Sequence, residues 1–180
     1  MVNENFELAD VTKDGSILMG KLVVCDGYTF DLNRTKAVFT HIHSDHIEKG
    51  FNKAKQRCQI FITLQTRKLL ERLGNTSFDR RRQFHTVSPD DPKLLVKGEE
   101  LPLDVLDEND PQMIGDGKYM ERLELIPSSH MLGAASVLVT LDDGTKICYS
   151  GDFSSDDEPP KCDILIVDAT HGSPQFNKKN

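Results

Sequence analysis

The sequence lacks any cysteine pattern. Cys25, Cys58, Cys148 and Cys162 are widely spaced and form no C-x-x-C pair, which argues against a cysteine zinc site and against a disulfide framework. Cys25, Cys58 and Cys148 sit in or beside apolar, strand-like runs, where cysteine acts as a small hydrophobe. A reducing, cytoplasmic setting is the expectation. Long hydrophobic runs are also missing. The run Ile164–Val167 is one of the longest, against the roughly 20 residues that a spanning helix needs, so no membrane partner is expected. The first ten residues, MVNENFELAD, have neither a basic start nor an apolar centre, so no secretory signal is expected.

What is present is a chain of 180 residues with 37% apolar and 28% charged side chains, ordinary values for one domain, 1–180, with its own core. The net charge of −7 argues against general affinity for nucleic acid, yet the charge is divided. From Lys49 to Arg82 there are ten Lys/Arg against two Asp/Glu, a net of +8; from Gln83 to Glu124 there are eleven acids against four bases, a net of −7. Such polarity suits an anion-facing side, and equally a solvated helix face. Only Phe51, Phe61, Phe78 and Phe84 lie in or beside the basic run, too few to suggest a base-stacking platform.

The chain reads as strands first. SILMGKLVVC and YTFDL flank Asp26-Gly27, a hairpin signal. KAVFT and CQIFIT read as short buried strands. LQTRKLLERLG, with Leu64, Leu69, Leu70 and Leu73 near helical spacing, is the clearest helix. QFHTV, KLLV and EELPLDVL read as short strands, and 108–118 as a loop. RLELIP, ASVLVTL, KICYS and DILIVD complete the strands, with 142–145 as a hairpin turn. Many strands with few helices predict an α/β or α+β layered domain.

The densest chemistry is VFTHIHSDHI, residues 38–47. His41 and His43, two apart on an extended segment, project to one side, and Asp45 and His46 follow where a helix begins. Imidazole suits zinc and a carboxylate adds neutralising charge, so the loop offers ligands from two directions. His130, after RLELIP, and Asp152, after KICYS, end two later strands, where loops held by a sheet gather functional groups.

These residues resemble a known family. THIHSDH (40–46) resembles the H-x-H-x-D-H signature of the metallo-β-lactamase fold, and SSHMLGAAS (128–136) and SGDF (150–153) look like its next two ligand motifs. Together with LIVDATHGSP (165–174) they resemble the β-CASP branch, the nucleases of mRNA 3′-end processing and RNase J-like enzymes. The resemblance covers about residues 15 to 175. It implies an αββα sandwich. It also implies two zinc ions, one held by His41, His43 and His130, the other by Asp45 and His46, with Asp152 bridging. Asp26 matches the fold's structural aspartate and Asp168 the branch's acidic motif, so Asp45, Asp152 and Asp168 are the candidate catalytic carboxylates.

The activity implied is hydrolysis of RNA phosphodiester bonds by a zinc-activated hydroxide. Rival readings are a DNA exonuclease of the same branch, of the type encoded with DNA ligases; a thioesterase or lactonase; and a non-catalytic subunit. The branch carries a further ligand histidine, a further catalytic histidine and a cap domain after the DATHG position. The expectation is therefore an N-terminal portion of a longer protein, or a chain completed by a homodimer or partner. His171 follows the acidic motif at a position usually aromatic and is not counted as a ligand. The partner expected is RNA or single-stranded DNA.

Overall fold

The computed structural model describes residues 8–48, 50–73, 84–96 and 120–169. Six strands form one sheet in sequence order: β1 (Ala9–Val11), β2 (Ile17–Met19), β3 (Val23–Cys25), β4 (Lys36–Val38), β5 (Gln59–Ile62) and β6 (Phe84–Thr86). The first three pair antiparallel, and β3 to β6 pair parallel. Parallel neighbours require crossovers. Between β4 and β5 these are α1 (Ser44–Ile47) and α2 (Phe51–Arg57), and after β5 comes α3 (Leu64–Arg72). The second sheet has the order β11-β10-β9-β8-β7. Its strands are β7 (Lys93–Val96), β8 (Met120–Pro127), β9 (Ala135–Leu141), β10 (Lys146–Tyr149) and β11 (Ile164–Ile166).

Alternation explains how the layers stack. In β8, Leu123 and Leu125 are buried and face the same way; Val137, Val139 and Leu141 do the same in β9. They meet Met19, Val23, Cys25, Val38 and Phe61 of the first sheet in one inter-sheet core. The parallel strands of the first sheet are apolar on both faces, as burial on both faces demands. Their outer residues Val24, Ala37, Ile60 and Ile62 pack on Phe51, Ala54 and Leu70 of α2 and α3. Among the described residues no helix covers the outer face of the second sheet, where Leu165 and Val167 are exposed.

All four cysteines are free thiols, three of them buried. No helix among the described residues is long and apolar enough to cross a membrane. EELPLDVL, the loop at 108–118, Gly74, His171 and Lys49 with Arg80 to Arg82 lie outside the described residues.

The hairpin expected at Asp26-Gly27 lies six residues earlier. Strands β2 and β3 turn through Gly20, whose φ is +53°. A Cβ there would sit 2.2 Å from Glu121 Oε1. The same oxygen, reaching over from β8, accepts the Lys21 N–H and the Leu22 N–H, the latter at 3.2 Å. Asp26 does adopt a positive φ, 47°, but it ends β3 and sends the chain through a loop to the parallel strand β4. The segment YTFDL is not a strand.

Truncating Leu125 to Ala should cost about 2–5 kcal/mol, because its methyl groups fill the inter-sheet core. Leu165→Ala, on the open face, should stay within about 1 kcal/mol. Denaturant unfolding of both variants against the parent checks the contrast.

Candidate metal centre

Strands β8, β10 and β11 all run in the same direction, because β8 and β10 each pair antiparallel with β9 and β11 pairs parallel with β10. Their C-terminal ends therefore fall at one edge. His130 follows β8, Asp152 follows β10 and Asp168 follows β11. The loop after β4, residues 39–43, reaches this edge from the other sheet, and the Ala135 N–H donates to the Thr40 carbonyl at 3.1 Å.

Four side chains converge in a first group: His41, His43, His130 and Asp152. His43 Nδ1 is 3.0 Å from His41 Nε2 and 3.2 Å from His130 Nε2. Asp152 Oδ2 is 3.2 Å from His130 Nε2 and 3.7 Å from His41 Nε2. A tetrahedral zinc with bonds near 2.0–2.1 Å sets its ligand atoms roughly 3.3 Å apart, and these four separations are close to that edge length. A second group joins His46, Asp152 and Asp168. His46 Nε2 lies 3.3 Å from Asp152 Oδ1. Asp152 thus presents one oxygen to each group.

Asp45 stands at the rim. Its Oδ2 is 3.7 Å from His46 Nε2, and its side chain is 60% exposed. It is outside the two converging groups, and Asp168 is inside one of them. The resemblance assigns Asp45 to the second ion and matches Asp168 to the branch's acidic motif. The remaining described histidine, His85, is elsewhere, stacked on Phe61.

The rings are held in register by Asp26. Its Oδ1 accepts the Thr40 N–H at 2.8 Å, and its Oδ2 accepts the Thr40 hydroxyl at 2.6 Å. With that hydroxyl hydrogen committed, the 3.0 Å contact to His41 Nδ1 has one consistent assignment: His41 Nδ1–H donates and Thr40 Oγ1 accepts. His46 Nδ1 donates to Asp26 Oδ2 at 2.7 Å. Both rings therefore turn Nε2 toward Asp152, the arrangement that carboxylate or hydroxyl partners impose on metal-binding histidines. This donor set, imidazole nitrogens and carboxylate oxygens converging at one edge, fits zinc.

Charge follows the same geometry. Burial pushes His41 down to about 4, His46 adds to the shift, and Asp26 and Asp152 oppose it. The ring is neutral at neutral pH, as a ligand must be. Burial also acts against charging His46, but the hydrogen bond and charge of Asp26, with Asp152 and Asp45, outweigh it and raise its pKa. On the far side, Tyr149 Oη reaches Asp168 Oδ2 at 3.4 Å, and the Asp168 N–H donates to Ser150 Oγ at 2.9 Å. Thr40 and Ser150 are supporting residues that sequence reasoning missed, since a hydroxyl beside a motif carries no spacing signal of its own.

Replacing Asp26 with Asn should swap one accepting oxygen for an N–H, disorienting His46 or Thr40. Zinc affinity, measured by chelator competition, is expected to fall about 10–100-fold.

No protein-family model matches the chain. A protein of Acidianus ambivalens, described as an uncharacterized protein in a lig 3′ region, is 40% identical over 62 residues. The match spans 33% of this chain and 44% of that protein, so the chain covers less than half of that relative. Among solved structures, a HARLDQ-motif mutant of a metallo-β-lactamase from Cronobacter sakazakii superposes with a TM-score of 0.52 at 14% identity, covering 85% of this chain and 72% of that one. The HARLDQ-motif form of the Cronobacter protein gives 0.48 at 16% identity, covering 85% and 70%. With its two stacked sheets and its strand-end histidine loop, the protein has a metallo-β-lactamase fold.

Proposed function

We propose that the protein is a zinc-dependent hydrolase acting on RNA phosphodiester bonds. The observation that carries the hydrolase part is the double convergence at the sheet edge, with Asp152 common to both groups. His41, His43 and His130 would hold one ion, and His46 and Asp168 the other, with Asp152 between them. When bound, such ions supply a water of lowered pKa and positive charge against a phosphoryl group. The protein's own side chains do the rest. Thr40 and Asp26 fix the ring orientations. Asp45, exposed beside His46, would orient a water by accepting its hydrogen bond. Partial exposure of His130 and Asp152 leaves one side of the site open to substrate.

RNA as substrate is supported by the resemblance of SSHMLGAAS, SGDF and DATHG to the β-CASP branch and by the basic residues of α2 and α3. Lys53, Arg57 and Lys68 are exposed there, and Thr63 and Thr66, at the start of α3, contact the His130 loop directly. Phosphate contacts of this kind supply affinity without sequence preference. A DNA exonuclease is the second reading, favoured by the Acidianus ambivalens relative, whose description places it in a lig 3′ region. A second chain, or a further segment, contributing one more histidine would complete the second ligand group.

The test is zinc content together with cleavage. The parent should carry zinc and cut single-stranded RNA only weakly unless the second ligand group is completed, in an EDTA-sensitive reaction. His43→Ala should lower turnover by more than the roughly 10–100-fold that an outer partner costs. Zinc-free parent protein would sink the metal reading. Turnover of DNA with no action on RNA would favour the second reading. Fast hydrolysis of a thioester or lactone, with both nucleic acids untouched, would move the substrate class away from phosphodiesters.

A further inference from the structure

Two of the ligand-bearing loops are joined by a residue that belongs to none of the motifs. The His130 loop runs from Ser128 to Ala134 and the Asp152 loop from Gly151 onward. Asp157 Oδ1 accepts the Ser129 N–H at 2.8 Å, next to His130, and its Oδ2 accepts the Ser154 N–H at 2.8 Å, two residues after Asp152. Its own N–H donates to the Ser154 carbonyl at 3.0 Å, closing the turn that presents the carboxylate. A third link runs alongside, from Ser128 Oγ to the Asp152 carbonyl at 3.1 Å.

The far end of the His130 loop is fixed separately. The Gly133 carbonyl accepts both the Thr63 hydroxyl at 2.8 Å and the Thr66 hydroxyl at 2.9 Å. Gly133 has φ +89°, and a Cβ there would lie 2.7 Å from Thr66 N. The loop is thus pinned at Gly133 against α3, and at Ser129 against the Asp152 loop. His130 sits between the two pins, with Nε2 3.2 Å from Asp152 Oδ2.

We propose that Asp157 is a positioning residue that sets the spacing between His130 and Asp152 for metal binding. The proposal rests on the zinc reading of the site. An ionised carboxylate is the suitable clasp, because it offers an acceptor to each loop at once and such charge-assisted bonds are the stronger kind. Removing it leaves two backbone N–H groups without their acceptor and lets the loops part. An amide at the same place keeps only one of the two bonds.

The experiment compares the parent with Asp157→Ala, Asp157→Asn and, as control, Asp156→Ala. Zinc affinity is read by chelator competition, and backbone order at Ser129 and His130 by NMR relaxation on zinc-free protein. Asp157→Ala should weaken zinc binding about 10–100-fold, Asp157→Asn by less, and Asp156→Ala not at all. In zinc-free Asp157→Ala the order parameters at Ser129 and His130 should fall from about 0.85 toward 0.6 or below, while those of β8 hold. The weakening should vanish in a His130→Ala background, since coupled residues do not add. Parental zinc affinity in Asp157→Ala overturns the proposal, even if its melting temperature drops, because that would be a structural role only. A parent that binds no zinc overturns the zinc reading instead. The zinc-free order parameters then judge the clasp alone, and unchanged values overturn it. If Asp157→Ala does not fold, Asp157→Asn decides on the same measurements.

Discussion

The site depends on one buried carboxylate. Asp26 is almost fully enclosed, and a carboxylate in that position is tolerable only when hydrogen bonds replace its water. Here the replacements are the N–H and hydroxyl of Thr40 and the ring of His46. The positive φ of Asp26 turns its side chain back across the end of β4, a conformation that Asp adopts more readily than most residues. That same carboxylate therefore ties β3 to the loop after β4, chooses the tautomer of His46 directly and that of His41 through Thr40. The requirement to satisfy Asp26 and the requirement to aim two imidazoles are met by the same atoms.

The sandwich supplies the rest of the convergence through direction alone. Three strands of the second sheet run the same way and end at one edge, and β4 of the first sheet ends opposite them. Close approach of the sheets at that edge is visible in the Ala135 to Thr40 bond and at Gly151, where a Cβ would stand 3.0 Å from Thr40 Cγ2. The other end of the sandwich holds a different buried pair. Glu121 accepts from the backbone of the β2–β3 turn, and the Arg34 guanidinium donates to the Met19 and Val23 carbonyls at 3.2 and 3.0 Å. There the polar groups are spent on turn geometry.

Much of this was legible in the residues. Alternation gave strands β8 to β10, and the leucine spacing gave α3, because each element has one face that must be buried. The H-x-H-x-D-H loop marked the site because its ligands are local. Two elements were not legible: β1, three residues with an exposed face, and α2, whose charges hide its buried Phe51 and Ala54. Asp26-Gly27 looked like a hairpin turn since the dipeptide's left-handed preference is real, but the side chain is used for Thr40 and His46 and the turn falls at Gly20, where Glu121 occupies the space. The grouping of Asp168 with His46 and Asp152 is tertiary. Asp45 is near in sequence and points to solvent, whereas Asp168 is brought in by the pairing of β11 with β10. Asp157 lies in a polar loop with neighbouring acids, and nothing local distinguishes it from Asp156.

The shared position of Asp152 has a thermodynamic consequence. One carboxylate carries one negative charge, yet its two oxygens face two groups of ligands. Under the two-ion reading, a cation taken up on the side of His41 would draw on charge that the side of His46 also relies on, so the two affinities would be linked through a single residue.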